Sequence, residues 1–396
     1  MDNGTFISEK LDTWNNLLAK GLIPNNVLLS LYILAGLVGN LTVILIYGVK
    51  MKDNKEERYF IPYLATADLC ASFVCASYGI ALNLMQANFN NTYLCKTWWF
   101  LAAFTTFTSI LILLIIAVHR YRKICKPLGK QMTMKWKRIA LFVGLVIAFL
   151  LAIPTTHFYG SVPFSNDEEG IIGLRWSRLK TVSKTGSLIF GGVLLLTAIA
   201  IIIALICLYA KIGYTILRHF TFMNTICKKK AFSDSEQPKN IEESHASDDP
   251  ISCTENETYS IETDNTILSG VCSQTSFETK ETSFTTDFTL NRKSNPHKSS
   301  VRQRKEKDNR RVVHKFTLMF MLITVIFLIC HIPKLIIMLM EARNPNFWEQ
   351  FSDSLRAGVL FVYRMYIINN ITIPFIYAFL DSMFAKEIKK LFKICR

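Results

Sequence analysis

Charged residues are missing from four long stretches of this chain of 396 residues. No Asp, Glu, Lys or Arg occurs in residues 21–49, 97–118, 139–166 or 185–210. Each stretch exceeds the roughly 20 residues that an α-helix needs to cross about 30 Å of hydrocarbon. The pattern argues against a soluble helical bundle, because each helix of such a bundle would carry a polar face. The sequence therefore predicts helices that span a membrane.

Three further apolar stretches carry only one or two embedded charges. They are Tyr59–Leu94 with Asp68, Phe316–Met340 with Lys334, and Ala357–Leu380 with Arg364. Together the stretches predict an all-α membrane protein, a seven-transmembrane helix bundle. Helices one to five are expected within residues 27–218, and helices six and seven within residues 311–380.

Motifs of enzymes and of structural metal sites are also missing. The ten cysteines form no CxxC pair, which argues against a zinc site or a disulfide scaffold. No Ser/His/Asp set, HExxH or phosphate-binding glycine loop occurs, so we expect no enzyme and no metal site. We expect no nucleic-acid partner. A seven-span transporter or channel is the alternative, although no internal repeat typical of transporters occurs.

Lysine and arginine in the short loops predict which side of the membrane each loop faces. Residues 50–58 carry four of these cations and residues 120–138 carry eight, so both loops are expected in the cytoplasm. The tail of residues 1–26 is then extracellular and the C-terminus cytoplasmic, in a multi-pass protein of the plasma membrane. Sequons at Asn3 and Asn90 fall on the predicted outer side and are glycosylation candidates, whereas a third at Asn256 falls inside.

Residues 219–310 differ in kind from the spans. They are rich in Ser, Thr, Asp and Glu, basic at both ends and poor in apolar periodicity, a composition that cannot bury enough surface to fold. We predict a disordered third intracellular loop. Its serines and threonines beside acids are candidate kinase targets and contacts for arrestin, and a plain solvated tether is equally compatible.

Asp68 is the only acid inside any span, and a polar group at that depth is costly. Polar partners are available on neighbouring helices: Asn40, Ser109, Asn369 and Asn370. A protonated carboxyl in a structural hydrogen-bond network and a bound monovalent cation would both relieve the cost of burial. Both interpretations stay open.

Two cations belong to the outer halves of spans six and seven. Lys334 follows Pro333 and shares a helix face with His331, and Arg364 lies ten residues before Pro374. The prolines are expected to break their helices internally. The cations either extend towards the outer interface or line a pocket for an acidic group of a ligand, such as a carboxylate.

Short motifs along the spans resemble the rhodopsin-like family of G-protein-coupled receptors. "GLVGN" at residues 36–40 resembles the first-helix motif, and "LATADL" at 64–69 resembles the second. "HRYRKICKPL" at 119–128 resembles the Asp/Glu-Arg-Tyr box, and "FLICHIP" at 327–333 resembles the Phe-x-x-Cys-Trp-x-Pro motif. The segment from Asn369 to Phe392 resembles the Asn-Pro-x-x-Tyr region and the eighth helix that follows it.

The resemblance implies an extracellular ligand, a heterotrimeric G protein and a switch at the inner end of the bundle. It makes Arg120 the group that is held inward at rest and released when helix six moves outward. It makes Asp68 a sodium-site acid. The residues that it assigns to the switch are His119, Arg120, Tyr121, Tyr209, Pro374 and Tyr377.

The chain also departs from the family pattern. His119 replaces the acid beside Arg120 and Val313 replaces an acid on helix six, so Arg120 is expected to lack its carboxylate restraints and basal signalling to be raised. Ile373 leaves the sodium site incomplete. Cys95 matches a cysteine that pairs with the second outer loop in the family, but that loop contains no cysteine here, so the loop is expected to be more mobile or Cys95 to bond elsewhere.

The ligand class follows from single positions in the resemblance. Ala102 stands where amine receptors carry an Asp and Ile367 where opsins carry a Lys, which disfavours both classes. The ligand-pocket candidates are therefore Ala102, His331, Lys334 and Arg364. The general character of the chain is similar to that of invertebrate peptide receptors of the cholecystokinin and orexin kind, which implies a peptide. A constitutively active receptor that engages only arrestin is a further alternative.

The C-terminal residues 381–396 predict a short amphipathic eighth helix. Phe384, Ile388 and Leu391 form an apolar stripe opposite several lysines, a pattern typical of a helix that lies on anionic membrane lipids. Cys395 at its end is either a palmitoylation candidate or a free thiol.

Overall fold

The computed structural model of the chain describes residues 3–50, 55–166, 170–179, 183–235, 296–343, 347–348 and 350–394. Its helices are α1 (Asn3–Lys20), α2 (Ile23–Val43, continued by a π-helical segment, Ile44–Lys50), α3 (Lys55–Arg58), α4 (Ile61–Leu84), α5 (Thr92–Cys125), α6 (Met134–Ala152), α7 (Thr155–Phe158), α8 (Lys184–Ser235), α9 (Pro296–Arg343), α10 (Asp353–Tyr363), α11 (Tyr366–Leu380) and α12 (Ser382–Ile394). Two strands, β1 (Tyr159–Asn166) and β2 (Ile171–Arg178), form an antiparallel hairpin.

Six of the helices are long and apolar enough to cross a membrane, and α10 with α11 forms a seventh, bent span. The predicted seven-helix fold is confirmed. The second span, α4, is the least apolar and the most enclosed, with 61% of its most apolar window buried, against 11% for the fifth span in α8. Polar groups of the bundle interior therefore come mainly from α4 and its neighbours.

The chain divides into two units. One unit holds residues 1–217 and 309–396, and the other holds residues 218–308. In the second unit α8 continues to Ser235 and α9 begins at Pro296, so helix occupies both ends of the predicted disordered loop. Residues 236–295 of that loop lie outside the described residues, as do Asn256 and Cys395.

Neither span-six nor span-seven proline interrupts its helix. Pro333 lies within α9 and Pro374 within α11, and the expected breaks at these positions are wrong. Neighbouring groups in a bundle can accommodate the donor that proline lacks. The bend of 53° lies instead between α10 and α11, at Arg364 and Met365.

The outer end of the bundle carries two elements that the sequence did not predict. The predicted tail contains helix α1, whose Asn15 donates to the carbonyl of Leu84 at 2.9 Å and accepts from the backbone N–H of Ala87 at 2.9 Å. The ring of Trp14 lies 4.9 Å from that of Phe164 in β1. Helix α1 therefore packs on the hairpin and on the loop after α4.

The hairpin is anchored without a disulfide. Cys95 is a buried free thiol beside the Tyr78 hydroxyl, 3.9 Å away. Leu174 in β2 exchanges backbone hydrogen bonds with the loop after α4, to Ala87 at 2.6 Å and from Phe89 at 3.0 Å. Aromatic rings of α4, α5 and β2 surround these bonds: Tyr78, Trp98, Trp99 and Trp176. Backbone pairing and aromatic packing thus connect this loop to the bundle, and Cys95, for which another bond was the alternative expectation, is a free thiol.

Gly173 gives the first prediction, because β2 and the loop after α4 approach closely there. A Cβ on residue 173 would lie 2.7 Å from the Ala87 carbonyl oxygen. We expect Gly173→Ala to destabilise the purified receptor by about 1–3 kcal/mol, the usual cost of overpacking, and to lower its melting temperature. The control is Gly192→Ala, which meets no atom within 4 Å. Equal melting temperatures of the two variants would contradict the contact.

Candidate functional site

The polar core at mid-depth contains the residues that the sequence predicted for it. Asp68 is fully buried, and its Oδ1 accepts a hydrogen bond from the hydroxyl of Ser109 in α5. Asn40 in α2 donates to the backbone carbonyl of Asn370 in α11 at 3.0 Å. The Asn369 amide lies 3.5 Å from Asn370 Oδ1. These contacts connect α4 to α5 and α2 to α11.

Three buried oxygens of this core lack hydrogen-bond partners: Asp68 Oδ2, Asn40 Oδ1 and Asn369 Oδ1. Oxygen atoms are suitable ligands for a monovalent cation, and Asp68 with Ser109 would hold one. Ile373 adds no oxygen. A proton on Asp68 would also lower the cost of its burial. Among the described residues, no group of three or more His, Cys, Asp or Glu could hold a metal ion.

Arg120, near the C-terminal end of α5, is held by an acid that was not predicted from the sequence. Its side chain is 1% exposed, its Nη1 forms an ion pair with the Glu57 carboxylate, and its Nη2 donates to the Glu57 carbonyl at 2.6 Å. Lys123, one turn further along α5, pairs with the same carboxylate. The expectation that Arg120 lacks a carboxylate restraint is wrong, because α3 in the first inner loop supplies one.

The register of two antiparallel helices explains this pairing. Eleven residues separate Glu57 from Asp68, and eleven separate Ser109 from Arg120. Eleven residues are about three helical turns, so each pair lies on one face of its segment. Because Ser109 contacts Asp68, Arg120 meets Glu57 three turns further towards the C-terminal end of α5. This spacing is the signal in the sequence that could have identified Glu57.

The Glu57 carboxyl is ionised at neutral pH. Burial favours its neutral form, but the positive charges and hydrogen bonds of Arg120 and Lys123 outweigh burial and lower the pKa below its ordinary value. The ion pair therefore weakens only when the pH falls well into the acidic range. At neutral pH the carboxylate that restrains Arg120 therefore carries its charge.

Helix α9, the sixth span, packs directly over Arg120. The guanidinium carbon lies 5.8 Å from the ring centroid of Phe316 and 5.1 Å from that of Phe320. A second ionic cluster ties α9 to α12, since Lys315 lies 3.8 Å from Asp381 and donates to Ser382 at 3.3 Å. Helix six is thus held at its inner end by aromatic and ionic contacts.

Asp381 contacts several helices because it lies between the end of the seventh span and the start of α12. It accepts from the Tyr47 hydroxyl at 2.7 Å and lies 3.9 Å from Arg58. Its other oxygen accepts from the backbone N–H of Met383, which caps α12. Adjacent residues of the first inner loop, Glu57 and Arg58, therefore contact α5 and α12 respectively.

The other predicted switch residues lie around Arg120. His119 is buried, with its ring edge-on to Phe60 at 5.4 Å between centroids. Tyr209 and Tyr377 are buried in the same apolar core, and the Tyr377 hydroxyl has no hydrogen-bond partner. Tyr121 points elsewhere, into a groove between α5 and α8.

The predicted pocket residues lie at the outer end. Ala102 is buried, and its carbonyl accepts from Thr106 at 2.7 Å. His331 contacts the Phe327 carbonyl through Nδ1 at 3.0 Å. Lys334 stacks over the ring of Tyr366, 3.5 Å from its centroid, and Arg364 donates to Asn83 at 2.9 Å. Both cations contact groups of neighbouring helices in the bundle.

Two predictions concern the surface. Asn90 is exposed in the loop before α5, as a glycosylation acceptor must be, and Asn3 begins α1. The apolar stripe of α12 was expected to lie on lipid, but Phe384 is buried and stacks on Tyr47 at 5.1 Å between centroids. Ile388 and Leu391 pack against the same core. The eighth helix is therefore docked on the bundle.

The sequence profile of the "7 transmembrane receptor (rhodopsin family)" matches residues 39–377. This chain belongs to the rhodopsin family. It is a multi-pass membrane receptor and not an enzyme. The structure of squid rhodopsin has the same fold, with a TM-score of 0.62 and 15% identity over 97% of this chain and 87% of that one.

Curated relatives match only in part. Galanin receptor type 3 of Mus musculus is 30% identical over 36% of this chain and 41% of its own length. An octopamine receptor of Heliothis virescens is 28% identical over 34% of this chain and 28% of its own length. A neuromedin U receptor homolog of Caenorhabditis elegans is 25% identical over 34% of this chain and 34% of its own length. The matched segments span less than half of each relative.

The buried ion pair gives the second prediction. Breaking a buried pair by removing one partner commonly costs about 3–5 kcal/mol. We therefore expect Glu57→Gln to lower the melting temperature of the purified receptor markedly. Glu387→Gln is the control, because it removes an exposed pair with Lys390 of the kind that contributes about 0–1 kcal/mol. A Glu57→Gln protein as stable as this control would contradict the pairing.

Proposed function

We propose that this receptor lies in the plasma membrane, binds an extracellular peptide at the outer end of its bundle and activates a heterotrimeric G protein at the inner end. The observation that carries the proposal is Arg120, buried beneath helix six and held by Glu57. A cationic group that is enclosed at rest, and that lies beside a helix held by a few separable aromatic and ionic contacts, is suited to a two-state switch.

The pocket supports a peptide over an amine, although an octopamine receptor is among the relatives. The buried side chain of Ala102 offers no acid to an ammonium group, and Lys334 and Arg364 would repel one. Receptors named for galanin, neuromedin U and gastrin/cholecystokinin are also among the relatives. The names of these relatives favour a peptide ligand, and the positive charges of Lys334 and Arg364 disfavour an amine.

The ionic contacts suggest how the resting state is maintained. Glu57 restrains Arg120, and Asp381 restrains helix six through Lys315. In the family pattern this arginine is held by an acid beside it and by an acid on helix six. Here those two positions are His119 and Val313, which carry no carboxylate, and Glu57 and Asp381 lie at other positions. We propose that loop one and α12 have taken over the restraint, so that basal signalling is lower than the altered motif alone implies.

Removal of the restraints should therefore activate the receptor without ligand, which is the third prediction. We expect Glu57→Gln and Lys315→Gln to raise basal nucleotide exchange several-fold, measured on purified receptor in nanodiscs with a panel of Gα subtypes. A shift of about 1.4 kcal/mol corresponds to a tenfold change in population. Lys315 is 41% exposed in its side chain, so its variant should fold normally and show the smaller increase.

The control for this assay is Glu387→Gln, which should leave basal exchange unchanged. No increase with either variant on any Gα subtype would contradict the proposed switch. Arrestin recruitment without any exchange would contradict coupling to a G protein, and agonist-independent ion flux in liposomes would favour a channel. Contacts with kinases and arrestin through residues 236–295 stay a prediction.

The proposed orientation places the N-terminus outside and the C-terminus in the cytoplasm. Asn90 lies between the second and third spans and would be glycosylated only on the outer side. As the fourth prediction, we expect Asn90→Gln to increase the mobility of the receptor on a gel and to reduce its shift with peptide N-glycosidase. Asn256→Gln, a sequon on the proposed inner side, should change neither. A shift caused by Asn256 would reverse the orientation.

A further inference from the structure

The outer end of the bundle buries the guanidinium of Arg364, whose contacts in the described part of the chain are with neutral groups. Its Nη2 donates to Asn83 Oδ1 at 2.9 Å, and Asn83 Nδ2 donates in turn to Asn26 at 2.7 Å. Its Nη1 has no hydrogen-bond partner, although the residue is only 8% exposed. Gly79 provides the space, since a Cβ there would lie 3.4 Å from Arg364 Nε. The guanidinium is therefore held in place while the N–H groups of its Nη1 remain unused.

Lys334 brings a second positive charge to the same wall of the bundle. Its Nζ lies 3.5 Å from the ring centroid of Tyr366 and 5.6 Å from that of Tyr363. These two tyrosines flank Arg364 in the sequence at the bend between α10 and α11, so the rings that Lys334 contacts belong to the two ends of the segment that carries Arg364. Ring faces attract an ammonium group but do not neutralise it.

Among the described residues, the ion pairs of the acids do not include Lys334 or Arg364. Glu57 and Asp381 form their ion pairs at the inner end. Glu341 follows Lys334 by about two helical turns on α9, yet among the described residues no acid pairs with Lys334 or Arg364. Buried charges in proteins are normally paired, and unpaired ones within a membrane mark functional sites.

We propose that Arg364 and Lys334 form the recognition site for a carboxylate of the ligand. The inference rests on the proposed function in one respect, that the outer end of the bundle receives the ligand. Arg364 Nη1 supplies a charge-assisted hydrogen bond, Lys334 supplies the second positive charge, and Asn83 positions the guanidinium. Tyr363 and Tyr366 favour an aromatic side chain next to the carboxylate.

A carboxylate can come from two parts of a peptide, its C-terminus or an Asp or Glu side chain. The probes therefore come in matched pairs of nearly equal size. N-acetylphenylalanine carries a terminal carboxylate, and N-acetylphenylalaninamide is its neutral counterpart. N-acetylaspartylphenylalaninamide carries the carboxylate on a side chain, and the asparaginyl peptide is its neutral counterpart.

The fifth prediction uses the purified full-length receptor without a G protein. The melting temperature is measured against the concentration of each probe, since a ligand that binds only the folded state stabilises it. We expect at least one acid to stabilise the receptor at about tenfold lower concentration than its amide, consistent with a charged hydrogen bond. Phenethylamine, a cationic aromatic probe, should not stabilise it.

Variants connect this preference to the two cations. Lys334→Gln and Arg364→Gln should each bring acid and amide to nearly equal effective concentrations. The control is Arg356→Gln, which removes an outer arginine that donates to Gln86 at 2.9 Å and should keep the preference. If Arg364→Gln fails to fold, Lys334→Gln and Lys334→Met test the site, because Lys334 is only partly buried.

Equal stabilisation by acid and amide in the unaltered receptor would overturn the inference. A preference for the acid that survives in both cation variants would overturn it too. A preference shown by one matched pair alone identifies the source of the carboxylate and supports the site. Because this assay contains no G protein, its failure leaves the coupling proposal intact, and a failure of coupling leaves the carboxylate site intact.

Discussion

The inner end of the bundle depends on one buried ion pair, between Glu57 and Arg120. A guanidinium that is 1% exposed needs a compensating charge, because an isolated buried cation is costly. Glu57 in the first inner loop supplies the compensating negative charge, since His119 stands where the family has an acid next to this arginine. The consequence extends to α9, which packs its aromatic rings on the compensated arginine and is fixed again by Lys315 and Asp381.

The two ends of the bundle treat charge in opposite ways. At the inner end cations meet acids, as Arg120, Lys123 and Lys315 do. At the outer end Arg364 and Lys334 meet an amide and aromatic rings. A paired charge stabilises one arrangement of the helices, whereas an unpaired buried charge leaves interaction energy for an incoming anion. This asymmetry is what a receptor with an external ligand and an internal switch requires.

Some of the site was predictable because membrane burial makes single residues conspicuous. Asp68, Ser109 and the cations at 334 and 364 could be identified as polar residues in apolar runs, and the inward position of Arg120 was implied by the family resemblance. Glu57 was not predicted because it lies in a loop that contains several charged residues, so its composition does not distinguish it from a solvated surface acid. The hairpin was missed because the loop lacks cysteine, and its anchoring by Ala87, Phe89 and Leu174 uses backbone atoms.

The sequence by itself determined the number of spans and the depth of their polar residues. Long uncharged helices are stable in lipid whatever their neighbours, because they satisfy their backbone hydrogen bonds internally. Only the tertiary structure decided which groups meet. It brought Glu57 to Arg120, left the Nη1 group of Arg364 unused and placed the bend of span seven at that residue instead of at Pro374. Those outcomes depend on the register and contact of separate helices, which local composition does not encode.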